Sequence, residues 1–261
     1  MAFPELASKG IVVTGAARGI GAATARRLAS EGARTLIVDI DAAELEQVAG
    51  ELDGCKAFAA DTSTEDGVSG YMQAARDHLG RIDGVLLNAG VGGDISLIAD
   101  YDIETFDRLV SINVRGTFLG LRAAIRQMVD DGTAGSIVAT ASALASQGSQ
   151  YFAPYVASKH AIMGLVRSAA LEVGQHGIRV NAICPGYVAT RLVDHAESFS
   201  SGGEDTTDAR AAFQAGIPLG RYSTPDEQAA LVAWLLSDES GYATGGGFPL
   251  DGGVGAGPYS G

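Results

Sequence analysis

Cysteine and lysine are scarce in this chain: two cysteines, Cys55 and Cys184, and three lysines, Lys9, Lys56 and Lys159, in 261 residues. The cysteines lie far apart, with no C-x-x-C and no histidine nearby, so neither a disulfide framework nor a zinc site is expected and a reducing cytoplasm suits the chain. The histidines His78, His160, His176 and His195 share no metal-ligand spacing, and no metal is expected. No apolar run approaches the ~18 residues that span a bilayer, and Met1–Gly10 holds no apolar leader core, so neither export nor a membrane location is expected. A G-x-S-x-G elbow is missing, which argues against hydrolase chemistry of that kind. Basic tracts are missing too. With a net charge of -13 the chain would repel a phosphate backbone, which disfavours nucleic acid as a partner.

What is present is the composition of one compact domain, 46% hydrophobic and 19% charged. From Ile11 onward short β-rich runs alternate with stretches of helical period, the pattern of βαβ units feeding a parallel sheet. Strands are expected near 11–14, 34–38, 56–59, 83–87, 136–140, 178–183 and 246–249. Helices are expected near 19–31, 42–51, 64–79, 103–130, 155–175 and 225–237. Runs such as Leu36-Ile37-Val38 and Val85-Leu86-Leu87 are apolar without alternation, as when helices cover both faces of a sheet. The expected fold is α/β: a single-domain, Rossmann-like doubly wound parallel sheet of about seven strands with helices on both faces. The exception is 194–216, where Ser198 to Asp205 gathers serine, glycine and acids, the composition of a loop or lid.

The first strand runs into Thr14-Gly15-Ala16-Ala17-Arg18-Gly19-Ile20-Gly21 and then a helical stretch. Strand, glycine turn and helix in that order let backbone approach a pyrophosphate at a helix N-terminus, although such glycines can also serve packing alone. The second strand ends at Asp39, where an acid can accept from both ribose hydroxyls and would repel a 2′-phosphate. Arg18 pulls the other way, since a guanidinium there could pair with that phosphate. Asp39 is the more directly placed, so NAD is the expected cofactor and NADP the alternative.

Lys159 stands four residues after Tyr155, and on a helix i and i+4 share a face. An ammonium near a phenol favours the phenolate, which would bring a tyrosine from about 10 toward working pH and make it a usable acid and base. Tyr151 is a competitor whose own i+4 partner is the uncharged Tyr155. Ser142 follows the strand 136–140 at the carboxyl end of the sheet, where its hydroxyl could hold a substrate oxygen; Ser146 and Ser149 compete for that role. Asn113 lies within a long helical stretch, where asparagine is a poor helix former whose side chain seeks partners.

Taken together, Thr14-Gly15-x-x-x-Gly19-x-Gly21, Asp61, Asn88-Ala89-Gly90, Asn113, Ser142, Tyr155-x-x-x-Lys159, Pro185-Gly186 and Asp251-Gly252-Gly253 resemble the short-chain dehydrogenase/reductase family over nearly the whole chain. The resemblance implies a catalytic set of Asn113, Ser142, Tyr155 and Lys159, with Asn113 fixing a water that relays the proton. It further implies a cofactor site of Gly15, Arg18, Gly19, Ile20, Gly21 and Asp39, with Asp61 at the adenine and Thr62 beside it. Asn88-Ala89-Gly90 would support cofactor and sheet, and Pro185 and Gly186 through Val188 to Thr190 would flank the nicotinamide, where Tyr155 and Lys159 also stand. Leu87 departs from the pattern, since many relatives carry an asparagine there. Relatives with a basic residue at the Arg18 position often use NADP.

The expected activity is hydride transfer between NAD and a secondary alcohol or its ketone, by a homo-oligomer, as a tetramer. A cofactor-binding protein without dehydrogenase activity is one rival, and a lyase or epimerase on a related fold, which usually carries a larger C-terminal substrate domain, is the second. The substrate pocket is expected from 143–152 and 187–216, with Leu144, Tyr151, Phe152, Tyr187, Phe199 and Phe213 suggesting an apolar or aromatic ring compound, unless these residues only pack the lid. Asp194, Glu197, Glu204, Asp205 and Asp208 crowd the lid and raise the prospect of a cationic substrate such as an aryl amino alcohol.

Overall fold

A computed structural model describes residues 3–203 and 205–257. Seven strands form one sheet in the order β3-β2-β1-β4-β5-β6-β7 among the described residues. They are β1 Gly10–Thr14, β2 Arg34–Asp39, β3 Cys55–Ala59, β4 Gly84–Leu87, β5 Ser136–Thr140, β6 Arg179–Pro185 and β7 Gly247–Leu250. Every pairing is parallel. The order reverses between β1 and β4, which opens a crevice at the carboxyl ends of those two strands, the place where ligands of such sheets gather.

Successive strand residues divide between two cores. Val12, Leu36, Val38, Val85, Ile137 and Val180 face one, with α3 Glu65–Leu79, α5 Thr117–Asp130 and α6 Ala153–Val173 packed over them. Ile11, Val13, Ile37, Leu86, Val138 and Ile183 face the other, covered by α1 Gly19–Ser30, α2 Ala42–Gly50 and α9 Pro225–Leu236. Burial on both faces is why the strands are apolar throughout. Helix starts are capped locally: Asp41 and Thr64 accept from backbone N–H groups at the starts of α2 and α3. Thr224 and Glu227 form a reciprocal capping box on α9.

Two expectations are corrected. The single helix over 103–130 is three pieces: α4 Ile103–Val110, a π-helical segment Ser111–Gly116 and α5. The π turn falls around Asn113, whose side chain is drawn off the helix to partners elsewhere; such widened turns collect at functional sites. The expected lid loop is largely helical, with α7 Arg191–Ser200 and α8 Thr207–Ala215. The serine- and glycine-rich composition marks only their connection, where Gly202 and Gly203 take positive φ.

Candidate active site

One asparagine binds three strand ends together at the crevice. Asn88 Nδ2 donates to the Gly15 carbonyl at 3.0 Å, and its Oδ1 accepts from Thr140 Oγ1 at 3.0 Å. Thr14 Oγ1 in turn accepts from the backbone N–H of Asn88 (2.9 Å) and of Ala89 (3.3 Å). The ends of β1, β4 and β5 are thereby fixed relative to one another. Leu87, the departure from the family pattern, is buried and points into the core toward α5, away from this network.

The turn after β1 requires its glycines. Gly15 has φ +64°, and a Cβ there would stand 2.8 Å from the Ala89 backbone. A Cβ on Gly21 would stand 2.1 Å from the Gly15 carbonyl oxygen, so Gly21 supports the turn from behind while Gly15 and Ile20 line the cleft. Gly19 borders an adjoining hollow together with Thr190. Arg18 supplies no capping bond to α1, which leaves first-turn N–H groups for an anion.

The cleft encloses ≈ 400 Å³ and runs from Asp39 to Tyr155. Asp39 accepts from the Ala17 N–H (3.0 Å) and the Asp41 N–H (3.1 Å), which fixes its carboxylate at the end of β2. Arg18 also reaches the cleft, but its guanidinium is taken up by Asp41 at 2.5 Å and Glu44 at 2.6 Å. Asp61 and Thr62 line the same end, with Asp61 Oδ1 held by the Ser63 N–H and hydroxyl. Asn88, Ala89, Gly90, Pro185, Gly186, Val188 and Thr190 also line the walls. Sequence reasoning missed Ile40, Ala60, Val91, Arg108, Ile112, Thr140, Ala141, Leu192 and Val193. Ile40, directly after Asp39, and Thr140, two residues before Ser142, were findable from their neighbours; Leu192 and Val193 come from a helix read as loop.

At the other end, Ser142, Tyr155 and Lys159 meet. Ser142 and Tyr155 line the same wall of the cleft, and Ser142 Oγ accepts from the Leu144 N–H at 3.1 Å. Lys159, one turn beyond Tyr155 on α6, sits over the tyrosine ring at 5.4 Å from its centroid and donates to the Thr140 carbonyl at 2.8 Å. Neither Ser146, Ser149 nor Tyr151 lines the cleft. Electrostatics here correct the expectation. Burial pushes the Tyr155 phenol above its ordinary range, opposed by the neighbouring Ser142 hydroxyl, and brings the Lys159 ammonium down to about 8. Desolvation is therefore the larger influence on the phenol.

Asn113 is 1% exposed and acts as a bracket. Its Oδ1 accepts from the Val91 N–H at 2.8 Å, and its Nδ2 donates to the Val91 carbonyl at 2.9 Å and to Ser158 Oγ at 3.1 Å. Ser158 in turn donates to the Tyr155 carbonyl at 2.7 Å. With both amide protons used, the side chain has no N–H left to hold a water; it ties the segment after β4 to α6 beneath Tyr155.

The aromatic candidates separate into two groups. Tyr187 stacks on Phe213 (5.6 Å) and on Tyr222 (5.9 Å), so Tyr187 and Phe213 pack the lid. Tyr151 and Phe199 meet at 6.1 Å across the gap between body and α7, and Tyr151 holds φ +68°. Leu144 and Phe152 are half-buried, after Ser142 and at the start of α6. Of the lid acids, Glu197 is buried and already paired with Arg210. Asp194 lies 3.6 Å from Arg210, Asp205 accepts from Thr207, and Asp208 sits exposed in the first turn of α8. Glu204 lies outside the described residues. The buried carboxylate that a cationic substrate would need is thus committed elsewhere. Arg210 and Tyr222 left no sequence signal, because their partnership exists only after the lid folds.

This arrangement, a parallel sheet with a glycine turn, a carboxylate at the end of β2 and a Ser-Tyr-Lys group at one end of the crevice, suits a nicotinamide oxidoreductase. Residues 15–255 match the family described as enoyl-(acyl carrier protein) reductase. The chain is 38% identical to 2,5-dichloro-2,5-cyclohexadiene-1,4-diol dehydrogenase of Sphingobium indicum, over 95% of this chain and 98% of that one. Levodione reductase of Leifsonia aquatica is likewise 38% identical, over 94% of each chain. A crystal structure of levodione reductase superposes with a TM-score of 0.92 at 37% identity, covering 95% of this chain and 98% of that one. NAD+-bound xylitol dehydrogenase gives 0.90 at 33% identity, covering 94% and 98%. The chain belongs to the short-chain dehydrogenase/reductase family of oxidoreductases. No helix among the described residues is long and apolar enough to cross a membrane.

Proposed function

We propose that the protein is an NAD-dependent, cytoplasmic dehydrogenase or ketone reductase acting on a neutral secondary alcohol, or its ketone, carried on an apolar ring. The observation that carries the cofactor choice is Asp39, fixed at the end of β2 in the cleft wall while Arg18 is tied to Asp41 and Glu44. A carboxylate there accepts from ribose hydroxyls and repels a 2′-phosphate. The glycine turn fits a dinucleotide, because Gly15 brings bare backbone to the cleft wall and packs too closely on Ala89 and Asn88 to carry a Cβ. A relative solved with NAD+ and one named for a cyclohexadiene diol support the same reading.

A nicotinamide dinucleotide, when bound, supplies the hydride acceptor for oxidation or the donor for reduction. The chain's own groups handle the proton. Ser142 holds the substrate oxygen beside Tyr155, and Tyr155 takes the hydroxyl proton in oxidation and returns it in reduction. Lys159 keeps donors to spare beyond the one given to Thr140, which suit a ribose hydroxyl, and its charge favours the phenolate. Tyr151 and Phe199 border the mouth, and with Glu197 neutralised by Arg210 a neutral ring fits better than a cation.

The test is kcat/KM with both cofactors. NAD should be preferred by about a hundredfold, and Asp39→Ala should narrow that gap. A native preference for NADP overturns the assignment. We also propose a homotetramer, since Ile103, Phe106 and Phe118 leave apolar surface exposed around α4 and α5. Light scattering that reads a monomer at micromolar concentration would overturn it.

A further inference from the structure

The lid holds a buried carboxylate that no step of the chemistry uses. Glu197, in the middle of α7, is 1% exposed. Its Oε1 accepts from the Tyr222 hydroxyl at 2.7 Å and from Arg210 Nε at 3.0 Å, and its Oε2 accepts from the second arm of the Arg210 guanidinium at 3.1 Å. Three separate pieces of chain meet at this one group: α7, α8 through Arg210, and the segment before α9 through Tyr222. That segment belongs to the body, because Ser223 bridges to Val188 and exchanges backbone hydrogen bonds with Tyr187 and Ala189. The stack of Phe213, Tyr187 and Tyr222 lies alongside, and Arg210 covers the Tyr222 ring at 5.9 Å.

The same helix reaches the site at both ends. Leu192 and Val193, in its first turn, line the cleft, while Phe199, in its last turn, meets Tyr151 of the body. The contacts at these ends are apolar and partly exposed, whereas the middle of the helix is held to the body by the charge-assisted hydrogen bond from the Tyr222 hydroxyl to the buried Glu197 carboxylate, with the half-exposed Arg210 of α8 forking onto the same carboxylate and covering the Tyr222 ring. Lifting α7 from the body forfeits the Tyr222 hydrogen bond and the cover of Arg210 on the Tyr222 ring, while the Glu197–Arg210 pair can travel with the two helices.

We propose that Glu197 is a positioning residue: its latch to Tyr222, braced by Arg210, keeps α7 seated over the cleft and so slows release of the bound dinucleotide. The inference rests on the dinucleotide reading of the cleft. Opening α7 withdraws Leu192 and Val193 from the cleft wall and parts Phe199 from Tyr151, and each opening must first break the latch. Lid opening of this type commonly limits turnover in enzymes that close over a cofactor.

The experiment displaces NADH from the full-length protein in a stopped-flow fluorimeter and reads the dissociation rate constant. Glu197→Gln keeps the shape and removes the charge; it should speed release by at least about tenfold. Tyr222→Phe removes one hydroxyl and keeps the stacked ring, giving a smaller acceleration, and the two effects should fall short of multiplying in the double variant because they act on one network. Asp208→Asn, an exposed lid acid, is the control and should leave the rate unchanged. A merely structural role lowers the amplitude by reducing the folded fraction and leaves the rate constant alone, so a variant that folds poorly still reports. Release within twofold of wild type in both Glu197→Gln and Tyr222→Phe overturns the latch. Failure of NADH to bind the wild-type protein overturns the dinucleotide reading instead.

Discussion

Lys159 shows what one residue costs and supplies. Its ammonium is 5% exposed, with a single carbonyl as hydrogen-bond acceptor, and burial lowers it to about 8. In the unfolded chain a lysine titrates near 10.4. Between those values the unfolded state binds more protons, so the contribution of this group to stability rises with pH; its penalty is present in full below pH 8 and fades as the native ammonium deprotonates. The unfolding free energy of the cofactor-free protein, measured against Lys159→Met by urea denaturation, should therefore gain about 2 kcal/mol from about pH 7 to about pH 9.5. A constant difference would mean that the ammonium is solvated in the native state. The pairing of Tyr155 with Lys159, and Ser142 at the strand end, were legible because helical spacing and strand position are local properties of sequence. The direction of the Tyr155 shift was not, because desolvation depends on what the rest of the chain stacks around the ring.

At the scale of elements, the alternation of strands and helices was readable to within a residue or two, since strands buried on both faces announce themselves as apolar runs. The break at Ser111–Gly116 was not readable: its cause is the capture of Asn113 by Val91 and Ser158, groups distant in sequence. The lid helices were hidden by composition. A polar, glycine-bearing connection dominated the segment, and the apolar faces of α7 and α8 are short. Asn113→Ala tests the bracket, because it leaves the Val91 N–H and carbonyl without their partner. Thermal or urea unfolding should show a loss of about 3 kcal/mol, with kcat falling as α6 loses its tie beneath Tyr155. A variant of wild-type stability would remove the bracket and leave the π turn without a cause.

Across the whole molecule, the sheet, the stitch at Asn88 and the two helical layers hold the Asp39 end and the Tyr155 end of one cleft in fixed relation. Position in a crevice at the reversal of strand order could be inferred from the sequence, because the glycine turn and the serine both follow strands. Which aromatics face the mouth and which pack the lid could not, since that division is made by tertiary stacking. The central claim is hydride transfer with Tyr155 as the proton-transferring group, and a single comparison tests it: NADH formation from a cyclic secondary alcohol by the wild-type protein and by Tyr155→Phe, alongside NADH binding to each. Wild type should form NADH, while Tyr155→Phe should bind it as well and turn over at least about a thousandfold more slowly. Near-native turnover by Tyr155→Phe would contradict the role of that residue, and a wild-type protein that binds NADH yet oxidises no member of an alcohol panel would contradict catalysis itself.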